Sequence, residues 1–67
     1  MNKFSVRLKE LRIEKGISQR ELAKATQLSQ SGIVHWENNN RIPNAEVIIK
    51  FAEFFGVSAD YLLGLQD

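Results

Sequence analysis

The stretch from Gln19 to Asn38, QRELAKATQLSQSGIVHWEN, constrains the fold more than any other part of this chain. Two helix starts frame it. Ser18 followed by Glu21 fits a capping box, in which the hydroxyl accepts from the N3 amide and the carboxylate reaches back to the cap. The first helix then reads QRELAKAT, with Leu22 and Ala25 expected inward at i, i+3, and with Ala23 small enough to let another helix approach closely. Ser29 is the expected cap of a second helix, QSGIVHWEN, and Leu28 just before it suits a hydrophobic staple. Two short helices joined by a tight turn are the layout of a helix-turn-helix.

At about 100° per residue, Gly32, Ile33 and Trp36 of the second helix fall on one side, with Ser29 beside them. Gln30, Ser31, Val34, His35 and Asn38 fall on the other. The first set is what a core requires. The second offers amide, hydroxyl and imidazole groups and one branched methyl surface, with no formal charge. An ordinary solvated helix face carries Lys and Glu instead. The uncharged face suits groove reading, because an amide side chain can bond adenine bidentately and a methyl surface can pack on a thymine methyl. Gln30, Ser31, Val34 and His35 are therefore the expected base readers.

The remaining segments read as scaffold around this unit. A first helix covers about Lys3 to Glu14, with Phe4, Leu8 and Leu11 on one face, and Gly16 can take the left-handed conformation that ends it. A fourth helix follows Asn44, with Val47, Ile48, Phe51, Ala52 and Phe55 inward and Gly56 closing it. Ser58 caps a short fifth helix that is expected to return Tyr61, Leu62 and Leu65 toward the core. The connection from Asn38 to Pro43 is polar and is expected to be an exposed loop.

The run RLKELRIEKGISQRELAKATQLSQSGIVHWENNNRIPNAEVIIKFAEFFGVSADYLLG, from Arg7 to Gly64, resembles the Cro/repressor-type helix-turn-helix domain of phage repressors and bacterial regulators. Its motifs are RLKELR, KGISQRELA, IVHWEN, and a Pro ahead of FAEFFGVSADYLL. The resemblance implies an all-α, compact five-helix domain of the lambda-repressor-like type that binds operator DNA, usually as a two-fold dimer, with no catalysis and no cofactor. It also implies a partly buried ion pair between Arg12 and Glu37. A carboxylate at a helix C-terminus is disfavoured by the helix dipole, so Glu37 needs a compensating cation.

Two positions depart from the family pattern. Gln27 stands in the turn where many relatives have Gly, and a left-handed backbone there costs roughly 1 kcal/mol with a side chain present. Gly32 lies inside the second helix and weakens it by about 1 kcal/mol relative to Ala. Either that helix packs unusually close against the one before it, or DNA firms it up.

Length and composition set the outer bounds. Sixty-seven residues make one domain, 1–67, with one small core. There are no cysteines, so neither a disulfide framework nor a thiolate metal site is available, and a reducing cytoplasm fits. The start, MNKFSVRLKE, lacks the long apolar run of a signal peptide, and no stretch approaches the length of a membrane span. His35 is the only histidine, with no cysteine and no carboxylate pair to join it, so neither a metal site nor a catalytic triad is expected.

Net charge is only +1, but its distribution is uneven. Residues 1–24 carry seven Lys or Arg against three Glu, and residues 42–67 carry one Lys against four acids. A basic end can neutralise phosphates while the acidic end faces away from DNA. The expected phosphate contacts are Gln19 at the start of the first motif helix, Ser29 at the cap, and Asn38, Asn40 and Arg41 in the following loop, with Arg7 and Arg20 behind them.

Three functions remain open on these grounds. One is a sequence-specific DNA-binding transcriptional regulator, a repressor, that pairs weakly as a homodimer on a pseudo-palindromic double-stranded operator. A second is a protein-interaction module or antitoxin-like adaptor using the same helix face. The third is that the chain is the DNA-binding part of a longer repressor.

Overall fold

Four of the five helices begin with the same device. In the computed structural model, which describes residues 2–66, the helices are α1 (Asn2–Lys15), α2 (Gln19–Thr26), α3 (Gln30–Glu37), α4 (Ala45–Phe55) and α5 (Ala59–Leu63). Ser18, Ser29, Asn44 and Ser58 each sit in extended backbone and accept the N3 amide, from Glu21, Gly32, Val47 and Tyr61 respectively. Each cap satisfies one of the amides that a helix start leaves without a partner. At Ser18 the box is complete, because its own N–H donates to Glu21 Oε1 at 2.8 Å. That backbone bond, and then the bond with the Ser18 side chain, hold the Glu21 carboxyl below its ordinary pKa. With the folded value depressed, this contribution is complete above the ordinary carboxylate range and is lost as pH falls through the lowered value.

The helices close on one core. Phe4 and Leu8 of α1, Leu22 and Ala23 of α2, Ile33 and Trp36 of α3, Val47 and Phe51 of α4, and Leu62 of α5 are all buried. Phe51 is the common neighbour of the aromatic group. Trp36 meets it edge-on at 5.8 Å between centroids and 83°, Phe4 lies at 6.2 Å, and Phe55 stacks at 6.4 Å. Edge-to-face pairs at such separations add to simple area burial. Leu11, Leu28, Ile48, Ala52 and Phe55 pack on the core's margin, partly exposed. α3 is held between α1 and α2, while α5 bridges α1 and α4. Among the described residues no helix is long and apolar enough to cross a membrane.

Three expectations are corrected. In α2 the buried stripe is Leu22, Ala23 and Thr26, and Ala25 is exposed. The stripe turns toward the Ala23 side because α2 lies against both α3 and α4. Thr26 tolerates burial because its hydroxyl donates to the Leu22 carbonyl at 2.7 Å. Leu65 is 75% exposed, since the left-handed cap at Gly64 turns the chain outward just before it. Pro43 is buried, although the rest of the loop from Asn38 to Ile42 is exposed. Gly32 packs closely against residues of its own helix and cap. The room for its missing methyl is taken by Ser29 Oγ and by the Trp36 ring of its own helix.

Gln27 has φ 59° and ψ 33°, so the left-handed turn is built with a side chain present. The cap is otherwise complete: the Gln27 N–H is directed at the Ala23 carbonyl, and Leu28 N–H donates to it at 3.1 Å.

Trp36→Ala should lower stability by about 3–5 kcal/mol, the usual cost of emptying a buried aromatic site. A domain of this size has little more than that in total, so the variant should be largely unfolded. Thermal denaturation followed by circular dichroism measures this, and a melting point within a few degrees of the parent would refute the assigned role of Trp36.

Candidate nucleic-acid interface

α3 presents two sides of opposite character. Gly32, Ile33, Trp36 and Glu37 are buried, Gln30 and Ser31 are exposed, and Val34 and His35 are half-buried. The outward side therefore begins at the helix's first turn and is uncharged along its length. Two residues flank it in positive-φ backbone, Gln27 before the helix and Asn39 after it. Asn38, Asn39 and Asn40 fold back on the helix end: their N–H groups donate to the carbonyls of Val34, Trp36 and His35 at 3.0, 3.2 and 2.8 Å. The Asn run thereby closes α3 and projects Arg41, which is exposed.

The position of α3 is locked from below by an ion pair. Arg12 Nε donates to Glu37 Oε2 at 2.7 Å and Arg12 Nη2 donates to Oε1 at 3.1 Å, a two-point fork. The Glu37 side chain is only 2% exposed and that of Arg12 14%. The bond to Glu37, opposed by burial, raises the Arg12 pKa, so the guanidinium is charged at any relevant pH. Arg12 Nη1 also donates to the Ile17 carbonyl at 2.9 Å, which ties the α1–α2 connection into the same group.

Gln19 completes it, donating from Nε2 to Glu37 Oε1 at 3.1 Å. α1, α2 and α3 thus meet at one carboxylate. Sequence reasoning reached Gln19 only as a phosphate contact. Its bond to Glu37 spans eighteen positions and leaves no local pattern.

The charge pattern is distributed otherwise than the linear count suggests. Arg7 lies away from α3: its Nη1 donates to the carbonyls of Tyr61 and Gln66, and its guanidinium sits 4.3 Å from the Tyr61 ring centroid. This corrects its assignment to the phosphate set, because the group is engaged in holding α5 to α1. Lys15 Nζ lies 5.1 Å over the Phe54 ring, and the Lys3 stem lies against Gly64. Much of the N-terminal positive charge therefore serves packing. Arg20, Lys24 and Arg41 are exposed.

A sequence model of the helix-turn-helix family matches residues 8–62. The chain belongs to this Cro/repressor-type helix-turn-helix family. The fold of the domain is also that of the restriction-modification controller protein C.AhdI from Aeromonas hydrophila, with a TM-score of 0.83, 34% identity, and coverage of 91% of this chain and 92% of that one. The domain is similar to the HTH-type transcriptional regulator ImmR of Bacillus subtilis, at 34% identity over 91% of this chain and 48% of ImmR. It is also similar to the cryptic phage CTXphi transcriptional repressor RstR of Vibrio cholerae, at 30% identity over 81% of this chain and 49% of RstR. The helix-turn-helix domain thus spans about half the length of these two regulators.

Removing one member of the buried pair should be costly. Glu37→Leu leaves the Arg12 charge without its partner and should destabilise the domain by about 3–5 kcal/mol. Replacing both, as Arg12→Met with Glu37→Leu, should cost clearly less than the single change, because no orphaned charge remains. Urea unfolding of the three proteins measures the difference, and equal losses for the single and double variants would contradict it.

Proposed function

We propose that the chain is a sequence-specific DNA-binding transcriptional regulator that lays α3 in the major groove and represses by occupying its operator. The observation that carries this reading is the outward side of α3, uncharged and starting at the helix's first turn, on a helix whose other side is anchored in the core. Gln30 and Ser31 are the leading base readers, Val34 packs against a thymine methyl, and His35 reads an edge farther along. The similarity to ImmR, a transcriptional regulator, and to RstR, a transcriptional repressor, supports regulation.

Phosphate contacts come from two sides. At the start of α2, the Gln19 Nε2 hydrogen that Glu37 does not take and the backbone amides beside it face one strand, with Arg20 nearby. Ser29 Oγ accepts from Gly32 N–H and keeps its own hydrogen to donate. Asn38, Asn40 and Arg41 serve the other strand.

One eight-residue reading helix touches only a few base pairs, too few to single out a site. We therefore place two copies on a pseudo-palindrome, with half-sites roughly 34 Å apart. Ile42, Ile49 and Leu65 are exposed apolar side chains outside α3 and are candidates for the contact between copies, with the half-buried Tyr61. So small a surface pairs weakly, and the dimer forms on DNA.

Selection from random duplexes tests the base assignment. Gln30→Ala should relax preference at one or two positions of each half-site, since a good bidentate contact discriminates by about 1–3 kcal/mol. An unchanged logo would remove Gln30 from the base readers. Arg41→Ala should weaken binding to all sequences alike and flatten the salt slope by about one unit. A slope equal to that of the parent would exclude a phosphate contact. A binding surface that recognises only another protein would show no preferred duplex and no steep salt dependence.

Sedimentation with an intact operator, and with one half-site scrambled, tests the pairing. The complex should hold two copies on the first and lose cooperativity on the second. One copy on both would refute the dimer.

A further inference from the structure

Gly32 is buried in the first turn of the helix whose outward side is proposed to read bases. Side chains on an α-helix lean toward the N-terminus, so residue 36 lies over residue 32. A methyl group added at Gly32 would lie 3.0 Å from Trp36 Cη2, 3.2 Å from Trp36 Cζ3 and 2.8 Å from Ser29 Oγ. The Ser29 hydroxyl can adjust, as the Ser18 and Ser58 caps accept amides of residues that carry side chains, but the indole cannot. The indole is buried and backed edge-on by Phe51. The Ser29 oxygen accepts the Gly32 N–H at 2.9 Å and thereby caps the helix.

We infer that Gly32 is a positioning residue for DNA reading: its missing side chain lets the Trp36 ring pack close against the first turn of α3, which carries Gln30 and Ser31. This rests on the proposal that α3 reads bases. The chain carries a weak helix former here although Ala is intrinsically the stronger one. Space, not backbone conformation, is the reason, because Gly32 has no positive φ. A side chain at Gly32 meets the indole edge, and the movement that relieves this contact shifts Gln30 and Ser31 relative to the core.

Trp36 supplies the means to test this. Its Nε1 is buried with no hydrogen-bond partner, so packing alone places the ring. Trp36→Phe therefore breaks no hydrogen bond and removes the ring atoms that the added methyl would meet.

Four proteins form a cycle: the parent, Gly32→Ala, Trp36→Phe and the double variant. For each, thermal unfolding is measured without DNA, and affinity is measured for the duplex selected by the parent and for random duplex. Gly32→Ala alone should lower affinity for the selected duplex by about tenfold, the equivalent of one good base contact, while random-duplex affinity stays within about twofold. In the Trp36→Phe background the same change should alter selected-duplex affinity by less than about twofold, well below the loss of one base contact. Melting should fall on Gly32→Ala in the parent and rise in the Phe background, where helix propensity acts unopposed.

Equal loss of affinity in both backgrounds, or no loss in the parent, overturns the inference. So does coupling in the melting temperature without coupling in selected-duplex affinity. If Gly32→Ala does not fold, a folded double variant with selected-duplex affinity near that of Trp36→Phe supports it, and an unfolded double variant overturns it. The melting measurements involve no DNA, and the Gln30→Ala selection tests base reading separately, so failure of either reading is identifiable.

Discussion

An isolated helix of eight residues is not stable in water, because nucleation costs more than so few hydrogen bonds return. α3 therefore depends on what grips its inner side, and the rest of the structure is arranged around that grip. Ile33 and Trp36 enter the core, Trp36 against Phe51, and Glu37 at the last turn is clamped by Arg12. Ser29 closes the first turn and the Asn38–Asn40 segment closes the end. Every one of these contacts leaves the outward side untouched. A helix held so completely from behind can present short polar side chains at fixed positions without spending them on its own stability.

The polar interactions are divided by task. Caps act locally and define where each helix begins. The Arg12–Glu37–Gln19 group acts over long sequence separation and fixes how three helices sit together. Glu37 lies at the unfavourable end of a helix dipole, so the carboxylate needs its cation, and the fork geometry makes the union directional as well as attractive. Arg7 plays a comparable part on the far side, where it joins α1 to α5 through two carbonyls and the Tyr61 face. The short α5, with Leu62 as its only fully buried side chain, is thus held by polar contacts as well as apolar ones.

Most helix boundaries were legible because their signals are local. Ser18, Ser29, Asn44 and Ser58 act within three residues of themselves, and Gly16 and Gly56 end helices by backbone conformation alone. The inward and outward sides of α3 were legible for a related reason, since period and residue type agreed. Ala25 and Thr26 were not. A one-position rotation of the buried stripe depends on where α3 and α4 lie around α2, and a threonine that satisfies its own hydroxyl looks polar in sequence. Leu65 was misplaced because apolar character does not reveal that a left-handed cap has already turned the chain.

The order of residues alone specified five helices, the caps of four of them, most of the apolar positions that form the core, and an uncharged outward side on α3. These follow from interactions within a few positions of each other. Three dimensions assigned the uses of charge and of space. Whether an arginine meets a phosphate or a neighbouring carbonyl depends on which helix lies within reach, and packing placed Arg7 on α5 and Gln19 on Glu37. Whether a glycine inside a helix is a weakness or a necessity depends on what occupies the volume around it, and at Gly32 that volume holds the Trp36 ring and the Ser29 hydroxyl.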